Sequence, residues 1–128
     1  MNNRGQVLSF FVLMLPIITI ILILIIDISN LVINKLDIDN INRILLDYSL
    51  DNIDNPNVSN KLKDLALLND DKLEIVINNE NDKINITLSK ELKGIIIKKN
   101  IYNIKSHFIG YLDNEKKIIK RIKGDGNE

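Results

Sequence analysis

Few side chains in this sequence have the chemistry for catalysis or metal binding. The 128-residue chain has one histidine, His107, and no cysteine or tryptophan, which removes thiolate nucleophiles, disulfides and zinc sites built on cysteine or on several histidines. His107 follows Ser106, but the surrounding alternation reads as a strand, where neighbours point to opposite faces, so the pair is badly placed as base and nucleophile. It reads as a structural histidine, exposed or half-buried. Asp37 and Asp39 suggest a cation site, yet two residues apart on a helix they do not share a face, and they read as a solvated acidic patch. The basic run Lys116-Lys117-Ile118-Ile119-Lys120-Arg121-Ile122-Lys123 lacks interleaved aromatics for base stacking and reads as an edge strand whose lysines discourage aggregation. Asn57-Val58-Ser59 and Asn85-Ile86-Thr87 fit the N-glycosylation pattern, which 19 asparagines produce by chance. No enzymatic activity, cofactor, metal site or nucleic-acid partner is expected.

The elements that hold these residues follow from an uneven composition. Ile, Asn and Lys make up 59 of the 128 residues, a bias that scatters Asn and Lys over any solvated face and weakens arguments from such patches. Net charge is zero, but residues 1–26 contain Arg4 and no acid, while all 17 acids lie from Asp27 onward. Val7 to Ile26 holds 17 hydrophobic residues in 20, broken only by Ser9, Pro16 and Thr19. A bilayer core about 30 Å thick needs about 20 such residues as helix. The run ends in Ile25-Ile26-Asp27-Ile28, without the small-x-small site of a secretory signal peptide. With Arg4 before it and Asp27, Lys35, Asp37 and Asp39 after it, the positive-inside rule places the N-terminus in the cytoplasm and the remainder outside a cell membrane crossed once. Pro16 sits in mid-segment, where it removes one helix hydrogen bond.

Beyond the apolar run the helical pattern continues. Leu31, Ile38, Leu45 and Asn52 recur every seven residues with Asn34, Ile41 and Tyr48 between them, while Asp37, Asn40, Asp47 and Asp51 fall on another face. The stripe either packs under the chain's own C-terminal part or meets neighbouring helices, and the first reading is preferred. Asn55-Pro56-Asn57 marks a break, and a short helix over about 59–68 follows. From Leu73 the period becomes two: Leu73, Ile75 and Ile77 alternate with Glu74, Val76 and Asn78, and Ile84, Ile86 and Leu88 with Asn85, Thr87 and Ser89, across the turn Asn79-Glu80-Asn81-Asp82. A second hairpin is read from about Ile104 to Leu112 and Lys116 to Ile122, turning at Asp113-Asn114-Glu115. Residues 92–101 are open between helix and strand. The fold class is thus α+β, a long membrane-rooted N-terminal helix with a small antiparallel sheet packed on it. Its segments are a leader at 1–5, a spanning helix at 6–27, an extracytoplasmic helical stalk at 28–52, a β-rich head at 53–123 and a disordered tail at 124–128. A head of about 70 residues is too small for an independent core and needs the helix as one wall.

The stretch Arg4-Gly5-Gln6-Val7-Leu8-Ser9-Phe10-Phe11-Val12-Leu13-Met14-Leu15-Pro16, followed by apolar residues to Asp27, resembles the N-terminus of the type IV pilin-like TadE/TadG-like proteins of tight-adherence pili. That family has an Arg-Gly pair, a proline twelve residues after the arginine and, in the TadG-like branch, an aspartate eleven after the proline; Arg4, Pro16 and Asp27 stand at those spacings. The start also resembles archaeal class III signal peptides, cut after glycine before glutamine, which implies processing between Gly5 and Gln6 by a prepilin-type peptidase. Glycine lets the backbone enter a protease site without a side-chain clash. Pilins usually carry glutamate five residues after the cut, where this chain has Phe10. The resemblance therefore implies a minor subunit that meets other pilin-like subunits or an assembly platform. Helix packing is expected through Pro16, Leu31, Ile38, Ile41, Leu45 and Tyr48. The alternative is an uncleaved single-pass scaffold that binds a partner through its juxtamembrane helix, using Leu31, Ile38 and Leu45.

Overall fold

Between Val7 and Asp51 only Pro16 disfavours helix, and in a computed structural model describing residues 3–99 and 101–123 the chain runs as one helix, α1, over Asn3–Asp51. Its 49 residues span about 73 Å at about 1.5 Å per residue. After the Asn55-Pro56-Asn57 turn, where the Asn55 side chain accepts from the Asn57 N–H at 3.0 Å, α2 covers Val58–Asn69. It buries Val58, Leu62 and Ala66. The strands are β1 (Glu74–Glu80), β2 (Lys83–Lys93), β3 (Ile101–Asp113) and β4 (Lys116–Arg121), a four-stranded antiparallel meander in sequence order. The fold is α+β, a sheet laid on one long helix. The segment left open at 92–101 proves to be the end of β2, a loop at 94–99 and the start of β3. The tail expected to be disordered, 124–128, lies outside the described residues.

Both hairpin turns are tighter than the spacing suggested. Glu80 pairs with Lys83 and Asp113 with Lys116, so each turn has two residues. All four turn residues have positive φ: 48° and 61° at Asn81 and Asp82, 48° and 66° at Asn114 and Glu115. Positive φ at both central positions matches the right-handed twist of the flanking strands, and Asn and Asp enter that region at low cost.

The register sorts the sheet into two faces. Ile75 and Ile77 of β1, Ile84, Ile86 and Leu88 of β2, Ile104, Ser106, Phe108 and Gly110 of β3 and Ile119 of β4 share the side that meets α1. From α1 come Ile38, Leu45, Leu46 and Leu50, all buried, with Leu31, Ile41 and Tyr48 packed at the margin. Gly110 permits this approach: a Cβ there would lie 3.1 Å from Leu46 Cδ2 and 3.3 Å from Leu50 Cδ1. At the centre of the interface a polar side chain crosses it. Asn42 is fully buried and its Nδ2 donates to the Ile86 carbonyl at 2.9 Å and the Ser106 carbonyl at 3.0 Å, tying α1 to two adjacent strands.

Asn42→Asp would aim a charged acceptor at those carbonyls. A buried, unpaired charge costs more than about 3 kcal/mol, so denaturant unfolding of the detergent-solubilised full chain is expected to show a loss of that size, larger than the loss from Asn42→Ala.

Candidate functional site

Where the apolar run ends, Asp27 turns into the head. It is 5% exposed, and its carboxylate gathers three successive backbone N–H groups: Oδ1 accepts from Ile95 at 2.9 Å and Ile96 at 3.1 Å, Oδ2 from Ile97 at 3.3 Å. Converging amides of this kind form an anion-holding concavity. Gly94 makes the loop possible, since a Cβ there would lie 2.4 Å from the Ile97 carbonyl oxygen. Only the backbone of the loop is committed; the side chains of Ile95, Ile96 and Ile97 remain 53%, 43% and 38% exposed, with Lys93, Lys98 and Lys99 exposed beside them. In the sequence Asp27 stood out only as the acid that ends the apolar run and by its spacing from Pro16. Its partner is a backbone segment about seventy residues away, for which a sequence carries no side-chain signal.

Higher on α1, Asp39 corrects the reading of a solvated acidic patch. Asp37 is exposed as expected, but Asp39 is 3% exposed, accepting from Lys35 at 3.0 Å and from the Arg121 guanidinium. Lys35 also donates to the Lys105 carbonyl, and burial, then repulsion from Arg121, holds its ammonium below the usual lysine range. Arg121 and Arg43 lie 5.5 and 5.4 Å from the Phe108 ring centroid, within cation–π reach. On β4, Lys117 meets Asp51 at 2.6 Å and Asp47 at 2.9 Å. Hydrogen bonds that the ammonium donates to Asp51 and then to Asp47 raise its pKa above the ordinary value. The basic C-terminal strand is thus an edge, but Lys117 and Arg121 are spent on acids of α1. The heptad pattern places Asp47 and Asp51 on another face than the stripe, and both are exposed; what it does not show is that Lys117 of β4 reaches them.

Near the end of α2, Asp70 pairs with Lys90, whose ammonium also reaches Asn34 Oδ1 at 3.2 Å. Burial opposes ionisation of Asp70, but the Lys90 hydrogen bond, the Lys72 N–H and both nearby ammonium groups outweigh it, so its carboxyl titrates below the usual aspartate range. Two open clefts flank this pair. One of about 300 Å³ includes Asp37, Asn40, Asn69 and Lys90; another of about 520 Å³ includes Asn30, Lys72, Lys90, Glu91 and Lys93. Among the described residues no group of three or more His, Asp or Glu could hold a metal ion. Ser106 is fully buried under Asn42, whereas His107 is half-buried on the opposite face of the sheet. Of the two glycosylation-pattern asparagines, Asn57 is exposed and Asn85 is half-buried in mid-strand.

The N-terminal motif residues stand apart from the head. Gly5 and Gln6 are exposed on α1. The Gly5 carbonyl accepts from Ser9 Oγ at 2.9 Å, and a Cβ at Gly5 would meet nothing within 4 Å among the described residues. Pro16 is exposed within the continuous helix. Ile38 and Leu45 are buried against the sheet, with Leu31, Ile41 and Tyr48 at its margin. In α1 the apolar run is long and hydrophobic enough to cross a membrane and none of it is buried by the head. No family model, curated protein or solved structure matches this chain.

Two outcomes follow from this geometry. Asp27→Ala should accelerate amide exchange at Ile95–Ile97 at least about tenfold, the factor that about 1.4 kcal/mol represents, with exchange in β2 and β3 unchanged. Because the Asp70 carboxyl is held low in the folded chain, its contribution is present at neutral pH and lost as pH falls below about 4 and through the folded value. Acid titration of stability should therefore be flatter in Asp70→Asn than in the parent chain.

Proposed function

We propose that this protein is a non-enzymatic minor pilin- or pseudopilin-like subunit of a Tad-like or archaeal type IV filament or secretion system. The N-terminal half of α1 roots it in the cell membrane and the β-rich head lies outside. The observation that carries this reading is the division of labour along one undivided helix. Residues 7–26 give no side chain to the head core, while the second half supplies Ile38, Leu45, Leu46 and Leu50 to it. A helix held in this way can leave lipid for a bundle of similar helices without disturbing the head.

Two further features support it. The fold has no need of glycine at position 5, where the space around a Cβ is open, so the residue is better explained by an encounter outside the fold, such as entry of the Gly5–Gln6 bond into a prepilin-type peptidase. Past the apolar run, Ile28, Val32 and Leu36 follow one another at four-residue steps on the helix surface and are 60%, 48% and 56% exposed. That ridge extends the apolar surface available to neighbouring pilin-like helices or an assembly platform. Phe10, where a major pilin carries glutamate, fits a minor role. The scaffold alternative relied on Leu31, Ile38 and Leu45 to bind a partner, and the chain's own sheet already occupies Ile38 and Leu45 and packs on Leu31.

The N-terminal mass of the protein from its native membrane tests the reading. A mature chain beginning at Gln6, with Gly5→Leu retaining residues 1–5 and failing to assemble, is the expected result. An uncleaved parent chain, or a Gly5→Leu variant unchanged in size and assembly, contradicts it.

A further inference from the structure

Three adjacent isoleucines exposed at a loop tip are unusual, since isoleucine is among the residues most often buried. Here the loop is also held at a particular height. Asp27 follows Ile26 directly, so the three hydrogen bonds from Ile95, Ile96 and Ile97 to its carboxylate fix the loop level with the end of the apolar run of α1. The charges around it are mostly of one sign. Lys93 precedes the loop and Lys98 and Lys99 close it, all exposed. Beside it opens the cleft of about 520 Å³ in which Lys72, Lys90 and Lys93 outnumber Glu91.

We propose that the 94–99 loop is a second membrane contact: Ile95, Ile96 and Ile97 enter the interfacial layer of the bilayer, and Lys93, Lys98 and Lys99 meet the phosphates of anionic phospholipids. The occupant follows from continuity and charge. The loop sits where the spanning helix leaves the hydrocarbon, apolar side chains gain by leaving water there, and flanking lysines are attracted to an anionic surface. Asp27 is then a positioning residue that holds the loop backbone while its side chains face lipid. A one-point hinge becomes a two-point mount, which restricts tilting of the head before any entry into a filament. The inference rests on the membrane-spanning reading of α1, and its test separates the two.

The chain has no tryptophan, so single tryptophans report position without background. Ile96→Trp, Leu15→Trp and Leu112→Trp are placed in the full chain and reconstituted into phosphatidylcholine vesicles with and without phosphatidylglycerol. The lipids carry nitroxide quenchers either near the headgroup or at the chain end. Leu15→Trp should be quenched by the deep label and Leu112→Trp, at the far end of β3, by neither. Ile96→Trp should show blue-shifted emission and quenching by the shallow label, stronger with phosphatidylglycerol and lost when Asp27→Ala is added. Water-like, unquenched emission from Ile96→Trp beside a deeply quenched Leu15→Trp overturns the loop contact and leaves the spanning helix standing. Blue-shifted emission that no lipid label quenches overturns it in favour of a protein neighbour. Quenching indifferent to phosphatidylglycerol overturns the lysine–phosphate contact, and an unquenched Leu15→Trp overturns the spanning reading and the loop contact with it.

Discussion

A four-stranded meander has an apolar face and nothing of its own to cover it. In this protein the cover is the C-terminal half of α1, where Leu45, Leu46 and Leu50 lie against Ile86, Leu88 and Phe108. Each such side chain, fully buried, contributes about 1.5–3 kcal/mol. The helix–sheet interface is thus the main source of stability for a head too small to hold a core by itself. The same helix carries, in its other half, about 30 Å of charge-free, mostly apolar surface. Both halves belong to one continuous helix, and it is the second half, residues 31–50, that the head cannot lose without losing its wall.

Apolar contact alone would let the helix slide or rotate over the sheet, and three polar contacts prevent this at different heights. Asp27 holds the loop after β2 by its amides, Asp39 receives Arg121 from β4, and Asn42 donates to β2 and β3 between them. Because they engage different parts of the sheet, they fix rotation as well as translation of α1. Asp47 and Asp51 add a more exposed pair of contacts to Lys117, screened by solvent and of small energetic weight. The lower contact also holds the backbone of the 94–99 loop, so the register of the core and the exposure of Ile95–Ile97 are linked through one carboxylate.

The apolar periodicities were legible in the sequence. The change from a seven-residue stripe to a two-residue alternation at Leu73 marked the passage from helix to sheet, and Ile84, Ile86 and Leu88 pointed to the buried face of β2. The heptad stripe named Ile38 and Leu45 but omitted Leu46 and Leu50, because a helix covered by a broad sheet buries a wider arc than a narrow a/d seam. The polar contacts were not legible. Asn42 was one asparagine in a chain rich in them, Asp39 looked like the exposed Asp37 two residues earlier, and the partners of Asp27 are backbone amides of residues distant in the chain. Burial of a polar group depends on what arrives opposite it, and that information is tertiary.

The most direct test of the central claim, that the second half of α1 is part of the head's core, is amide exchange across the full chain in a bilayer mimic at increasing denaturant. If helix and sheet are one unit, amides of residues 38–50 should share the opening free energy of β2 and β3 and lose protection in the same step. Strands that stay protected while those helix amides exchange freely would contradict the account, because the sheet would then be stable without its wall.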